Sequence, residues 1–119
     1  MVIQQDRYNF TKADRLLKRH EYNRLKTAGR KIHTYHFLAV YVPGDRPSTR
    51  IGITVSRRVG NAVVRNRIKR CVREYFRKNK YRIKGIWDIH VIAKSQAADA
   101  DNKEIERAMN KLFSQLISI

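Results

Sequence analysis

The sequence predicts an α+β fold, a single small α/β sandwich with the element order α-β-β-α-β-α. Apolar residues recur at helical spacing in three segments, and in three others they alternate or run together as in strands. Turn-forming residues separate these segments. The 119 residues fit one domain with a modest core, so residues 1–119 are expected to form a single domain.

The N-terminal quarter is predicted to hold an arm and a helix. Residues 1–13 are expected to form an irregular basic arm. A helix is predicted over residues 12–27, and Gly29 is suited to its C-terminal end. The apolar side of this helix consists of Leu16, Leu17 and Leu25.

Two strands follow, at residues 36–42 and 50–56. The first is rich in β-branched and aromatic residues, and in the second Ile51, Ile53 and Val55 fall on one face. The loop between them, 43–49, contains both prolines. Because this loop is short, the two strands are expected to pair as a hairpin.

The second half of the chain predicts a helix at 61–80, a strand at 86–93 and a last helix at 102–117. Asn61 is placed as the N-cap of the first of these helices. Asp101 is placed as the N-cap of the last, and Glu104 completes a capping box with it. The apolar stripe of the last helix comprises Ile105, Ala108, Met109, Leu112, Phe113 and Leu116.

The charge of the chain is its most informative property. Lysine and arginine number 27 against ten acids, which gives a net charge of +17. A domain this basic predicts a polyanionic partner, with nucleic acid the first interpretation and an anionic membrane surface the second. The single cysteine excludes an internal disulfide. With no apolar run of membrane-spanning length and no signal core, the chain is expected to be cytoplasmic, unprocessed and without a membrane partner.

Much of the charge lies in the predicted helix at 61–80. On a helical wheel of about 100° per residue, an apolar seam forms from Val64, Ile68, Cys71, Val72 and Tyr75. A separate basic face carries Arg65, Asn66, Lys69, Arg70, Arg73 and Arg77. Arg67 lies on the other flank of the seam. Because Glu74 is the only acid in the segment, contact with a polyanion is favoured over a basic face that merely faces water.

The residue types on this helix suit RNA. The planar fork of arginine meets phosphate oxygens with two hydrogen bonds, and Asn66 can both donate and accept. Backbone amides at the helix N-terminus, near Asn61, also favour phosphate. Arg57 and Arg58 lie just upstream and are expected near that end.

No catalytic constellation is visible in the sequence, and neither a catalytic residue nor a metal site is predicted. The acids form no recognisable metal-nuclease motif. His33 and His36 have a spacing that could chelate a metal, but polar residues at a strand entry are the favoured interpretation. Cys71 lies on the apolar seam, where a buried thiol is favoured over a nucleophile.

Residues 50–77, RIGITVSRRVGNAVVRNRIKRCVREYFR, closely resemble the signature region of the bacterial ribonuclease P protein family. The resemblance centres on Arg65, Asn66 and Arg67, and weaker similarity extends over most of the chain. It implies a protein that binds a catalytic RNA and precursor tRNA and requires no protein partner. The RNA, using Mg²⁺, would remove the 5′ leader. It also implies a left-handed βαβ crossover, where the general rule predicts the right-handed form.

The resemblance also assigns residues to two RNA contacts. The contact with the catalytic RNA is carried over onto Arg65, Asn66, Arg67, Lys69, Arg70 and Arg73. A cleft between the first helix and the sheet is implied to take the leader, and Tyr22 matches one of its aromatic positions. Lys26 and Val40 occupy two positions that are often aromatic, so this cleft is expected to rely more on charge.

A structural RNA-binding protein, such as a ribosomal or RNA-chaperone component, is the alternative. It would need the same basic single domain, so composition does not separate the two. The motif at 65–70 favours the ribonuclease P subunit.

Overall fold

The protein, described by a computed structural model over residues 10–118, has three α-helices and four β-strands. In chain order they are α1 (Arg19–Ala28), β1 (Arg30–His33), β2 (Phe37–Pro43), β3 (Arg50–Thr54), α2 (Ala62–Asn79), β4 (Trp87–Ala93) and α3 (Asn102–Ser118). The predicted α+β class is confirmed, with one more strand than the sequence indicated. Most of the predicted arm at 1–13 falls outside the described residues.

The four strands form one mixed sheet in the order β1-β2-β4-β3. β2 is antiparallel to both of its neighbours, whereas β3 and β4 are parallel. The predicted hairpin between β2 and β3 is therefore wrong, because β4 lies between them. β2 and β4 both contribute apolar residues to the two faces of the sheet, and such strands are stable in the centre of a sheet rather than at its edge.

β1 was absent from the prediction because its sequence, RKIH, is short and mostly charged. Only Ile32 of this strand is buried. Such a strand suits the edge of a sheet, where charged side chains discourage pairing with other chains.

α2 connects β3 to the adjacent parallel strand β4 and so completes a βαβ unit. The left-handed crossover that the resemblance implies for this unit stays a prediction.

The sheet separates two apolar clusters. The larger lies between one face of the sheet and α2 and α3, and it includes Phe37, Ile89, Ile68 and Phe113. The smaller lies on the opposite face beneath α1 and comprises Leu16, Leu25, Val40 and Val42. The basic helix and α1 therefore lie on opposite faces of the sheet.

α1 begins at Arg19, seven residues later than predicted. The predicted first turn is a short 3-10 turn, Lys12–Asp14, after which the chain is extended and Leu16 donates its amide to the carbonyl of Ile51 at 3.0 Å. The Glu21 carboxylate accepts from the amides of Leu17 and Lys18 and thereby fixes the start of the helix. Leu17 is 54% exposed, so its predicted place on the apolar side is wrong.

Gly29 follows α1, as predicted, but for a different reason. Its φ of −73° is open to any residue, so the left-handed conformation is not what requires glycine here. A Cβ at this position would overlap the Val40 side chain and the Leu25 carbonyl. Glycine is needed because α1 and β2 approach each other closely.

The other predicted helix starts are confirmed. Asn61 Oδ1 accepts from the amide of Val64 at 3.0 Å, and the two residues at the start of α3 form a reciprocal capping box. In that box Glu104 N lies 2.8 Å from Asp101 Oδ1, and Asp101 N lies 3.2 Å from Glu104 Oε1.

Candidate nucleic-acid interface

The basic helix α2 is anchored by one buried side. Ile68, Val72, Tyr75 and Phe76 are buried, and Val64 and Cys71 pack partly against the same cluster. The seam predicted from helical spacing is therefore the core-facing side. Its burial leaves the cations of α2 to project away from the sheet.

The outward face brings three of the predicted residues together. Asn66, Arg70 and Arg73 are exposed and, with Phe10 and Glu74, line a cavity of about 340 Å³. Lys69, next to them on the helix, is half-buried. This surface offers guanidinium donors beside an amide and an aromatic ring, which is a set of groups that suits phosphate, sugar and base.

Arg65 has an unpaired buried donor. Its Nε is buried and has no hydrogen-bond partner among residues 10–118. A buried donor without an acceptor costs about 1–3 kcal/mol, so most such groups have a partner. An acceptor supplied from outside the chain, such as a phosphate oxygen, would complete its hydrogen bonding.

Two of the predicted cations have partners within the protein. Arg67 extends toward α3, where its Nη1 lies 3.2 Å from Asn102 Oδ1. Arg77 forms an ion pair with Glu74, with Nη2 2.9 Å from Oε2. Both side chains therefore use some of their N–H donors for contacts within the protein.

Three further predicted residues gather at the start of α2. Arg57, Arg58 and Asn61 are exposed in and after the turn that leads from β3 into the helix. The helix N-terminus carries a partial positive charge, which adds to the two guanidinium groups. The start of α2 therefore combines the positive end of the helix dipole with two exposed arginine side chains.

A second surface lies beside α1, on the opposite face of the sheet. The Tyr22 hydroxyl donates to the Leu16 carbonyl at 3.0 Å, which fixes the ring over Gly52 of β3. A Cβ on Gly52 would overlap the Tyr22 ring, so glycine is required there by close approach. Tyr22 is half-buried in this position.

His90 is a residue that sequence reasoning missed at this surface. Its ring packs edge-on against Tyr22, with centroids 4.8 Å apart and an interplanar angle of 80°. Its Nε2 lies 2.7 Å from Thr54 Oγ1. Burial lowers the pKa of His90, so the ring is neutral at pH 7. Alternation along β4 could have placed this side chain on the α1 side of the sheet, but only the strand order reveals Tyr22 as its neighbour.

The two remaining cleft residues differ in exposure. Lys26 is exposed on α1, one turn after Tyr22. Val40 is only 5% exposed and belongs to the small apolar cluster under the helix. Tyr22 and Lys26 thus lie on one accessible surface, while Val40 lies beneath α1.

A buried ionic network fixes α1 on the sheet beside this surface. Arg50 bonds to Glu21 of α1 and to Asp88 of β4, and Arg24 Nη1 reaches Asp88 Oδ2 at 3.2 Å. Burial acts to raise the pKa of Glu21, but hydrogen bonds from the Lys18 amide, from Arg50 and from the Leu17 amide outweigh it and lower the pKa to about 2.

The histidine, cysteine and acidic side chains were also compared with what a metal site or a nucleophile requires. Among residues 10–118, no group of three or more histidine, cysteine or acidic side chains could hold a metal ion. Cys71 Sγ donates to Asn102 Oδ1 at 3.3 Å, and burial raises the pKa of its thiol. None of the helices in the described range is long and apolar enough to cross a bilayer.

The sequence is similar to one protein family over most of its length. The sequence model described as Ribonuclease P matches residues 10–117. The ribonuclease P protein component of Desulforapulum autotrophicum is 46% identical over 110 residues, covering 92% of this chain and 94% of the relative. That of Desulfosudis oleivorans is 46% identical over 106 residues, covering 89% and 88%.

The fold is also similar to solved structures. The RNase P protein of Staphylococcus aureus superposes with a TM-score of 0.82 at 32% identity, covering 87% of this chain and 95% of that one. The RNase P protein of Thermotoga maritima gives a TM-score of 0.77 at 28% identity, covering 85% and 96%. Sequence and fold therefore agree on one family.

Proposed function

The chain belongs to the ribonuclease P protein family, and from this premise we propose that it binds the catalytic RNA through α2 and the 5′ leader of precursor tRNA through the surface beside α1. As a family member it is part of an endoribonuclease complex that processes tRNA, and the ribonuclease P RNA is its partner. In this proposal the RNA performs the cleavage, and no further protein is required.

The outward face of α2 carries the proposal. Arg70 and Arg73 are exposed beside Asn66, and Arg65 holds a buried donor without an acceptor among the described residues. Phosphate oxygens of a folded RNA would supply that acceptor and neutralise the face. An interface of this kind stabilises the complex mainly through charge, so its affinity should fall steeply with salt.

The surface beside α1 supports the leader contact. Tyr22 and His90 place two rings in edge-on contact, and Lys26 adds a cation one helical turn away. Aromatic rings bind single-stranded bases by stacking, and a nearby cation binds the backbone between them. His90 supplies the second ring that the sequence at Lys26 and Val40 does not provide.

The Mg²⁺ of the reaction is assigned to the RNA and the substrate. Mg²⁺ prefers oxygen ligands that are free to bind it. The buried carboxylates among residues 10–118 are already engaged: Asp14 by Lys80, Glu21 by Arg50, and Asp88 by Arg50 and Arg24. In this proposal these buried carboxylates hold no resident Mg²⁺. A cytoplasmic location goes with the proposal, because the RNA partners are made there.

Reconstitution of the reaction tests the proposal. Cleavage of a precursor tRNA is measured at limiting Mg²⁺ with the protein alone, with a bacterial ribonuclease P RNA alone, and with both together. We expect efficient cutting at the mature 5′ end only in the mixture. If the protein binds structured RNA but does not enhance cleavage by a cognate RNA, the structural RNA-binding alternative replaces this proposal.

A further inference from the structure

A cavity of about 340 Å³ lies at the opposite end of β3 from the start of α2. It is formed where the segment before α1 meets the loop before β3, and its walls include Lys12, Arg15, Lys18 and Arg46. β3 is about 15 Å long at ~3.3 Å per residue, so this cavity is separate from the start of α2, and its lining includes no residue of that helix. The volume lies in the range of small-ligand pockets, which begins at about 300 Å³.

The charged groups at the floor of the cavity neutralise one another. Glu21 accepts from the Leu17 and Lys18 amides through Oε1 and from Arg50 through Oε2. Arg50 in turn forms two hydrogen bonds to Asp88. Arg24 also pairs with Asp88, so two carboxylates and two guanidinium groups balance and the floor contributes little net charge.

The groups at the rim remain positive. Within the described part of the chain, the one acid paired with Arg46 is the exposed Asp45, with Arg46 Nε 4.0 Å from Asp45 Oδ1. Arg15 lies over the Phe10 ring, 5.2 Å from its centroid. Lys12 and Lys18 have no acidic partner within residues 10–118. Four cations thus surround a concave surface, and the acid that pairs with one of them, Asp45, is distant and exposed. Leu17 and Pro47 form an apolar part of the cavity wall.

We propose that this cavity binds a phosphate group of a single RNA strand, with Lys18 and Arg46 as its principal contacts. Lysine and arginine donate charge-assisted hydrogen bonds to phosphate oxygens, and a concave site lets several of them reach one group. Leu17 and Pro47 offer the adjoining sugar or base an apolar contact. The site recognises the phosphodiester backbone and not the sequence.

The position of the cavity links it to the leader surface. The Tyr22 hydroxyl bonds to Leu16, and the next residue, Leu17, lines the cavity. A strand that passes Tyr22 reaches the cavity after rounding the start of α1. That the strand is RNA rests on the proposed function. The site itself contains no residue of α2.

Amide chemical shifts of the full-length ¹⁵N-labelled protein test the site. The probes are inorganic phosphate and, separately, a pentauridylate RNA. The variant is Lys18→Gln/Arg46→Gln, and the matched control is Lys103→Gln/Lys111→Gln, which removes the same charge from the exposed side of α3. Glutamine keeps the backbone contacts of each position, so the fold is retained.

We expect pentauridylate to shift the amides of residues 12–18 and 46–48 saturably in the parent and the control. The cavity variant should bind about tenfold more weakly at these amides, while its α2 amides shift as in the parent. The proposal would be overturned if the amides of residues 12–18 and 46–48 shifted no more than those of α3. It would also be overturned if the variant bound pentauridylate at these amides as tightly as the parent does. Shifts with phosphate but not with pentauridylate would make it a small-anion site and refute RNA binding there. If pentauridylate shifts neither the cavity amides nor the α2 amides, the result counts against the proposed function as well. If only the cavity amides fail to shift, the result refutes this site alone.

Discussion

Arg50 and Asp88 form a buried ion pair with two hydrogen bonds between adjacent strands. Arg50 Nε lies 3.1 Å from Oδ1 and Nη2 lies 2.8 Å from Oδ2 of Asp88. The two side chains are 8% and 1% exposed. Because Arg50 also bonds to Glu21, one guanidinium joins β3, β4 and the start of α1. The surface that presents Tyr22 therefore depends on a charge network that is remote from water.

Replacing Arg50 with methionine should destabilise the protein strongly. The change leaves the carboxylates of Glu21 and Asp88 without their shared partner, and breaking a buried pair costs about 3–5 kcal/mol. Urea denaturation measures the loss of unfolding free energy. Arg58→Met, at an exposed position, is the control and should change it by less than about 0.5 kcal/mol. Equal small effects for both variants would contradict a structural role for the network.

The network should also make the protein sensitive to acid. The pKa of Glu21 is about 2 in the folded protein and 4.5 ordinarily, so ionised Glu21 contributes stability fully above pH ~4.5. That contribution is lost as the pH falls from about 4.5 toward 2. We expect the stability gap between the parent and Glu21→Gln, measured by urea denaturation, to be smaller at pH 3 than at pH 6. A gap that stays constant would show that Glu21 is not preferentially ionised in the folded state.

Gly52→Ala should act through Tyr22. A Cβ at position 52 meets the Tyr22 ring, which is held by its bond to Leu16, so the ring must move. Overpacking of this kind costs about 1–3 kcal/mol. In a Tyr22→Ala background the same substitution should cost less than about 0.5 kcal/mol, because the obstacle is gone. A double-mutant cycle on unfolding free energy measures this coupling, and additive effects would rule out the contact.

His90→Ala and Tyr22→Ala should each weaken binding of precursor tRNA to the reconstituted holoenzyme. Base stacking on one ring is worth about 1–3 kcal/mol, which corresponds to a loss of about fivefold or more. His90→Phe should retain most of the affinity, because it keeps a ring beside Tyr22. The control is His33→Ala, on the edge strand β1. An equal loss for mature tRNA, which lacks a leader, would contradict a leader contact.

The sequence predicted those features that local chemistry determines. Asn61, Asp101 and Glu104 cap their helices as expected, and the seam of α2 through Ile68 and Val72 is buried as its spacing indicated. Each of these depends on residues within a few positions of one another. The outward position of Arg70 and Arg73 follows from the seam, so the basic face could be predicted as well.

Features that depend on distant pairing could not be predicted. The place of β4 between β2 and β3 is set by contacts more than 30 residues apart. The same holds for His90 beside Tyr22 and for Arg50 with Asp88, and Glu21 is 29 residues from its partner Arg50. Only the fold shows that Glu21, at the start of α1, is buried. The late start of α1 follows from that carboxylate and from the pairing of the preceding segment with Ile51.

The central claim is that the outward face of α2 binds the ribonuclease P RNA, and a matched pair of variants tests it most directly. Arg65→Gln/Arg70→Gln removes two cations from this face, while Lys103→Gln/Lys111→Gln removes the same charge from α3. Affinity for a bacterial ribonuclease P RNA is measured over a series of salt concentrations, with circular dichroism as the check on folding. We predict at least tenfold weaker binding and a shallower salt dependence for the α2 variant, and near-parent behaviour for the α3 variant. Equal losses in the two variants would show that total charge, and not this helix, determines binding.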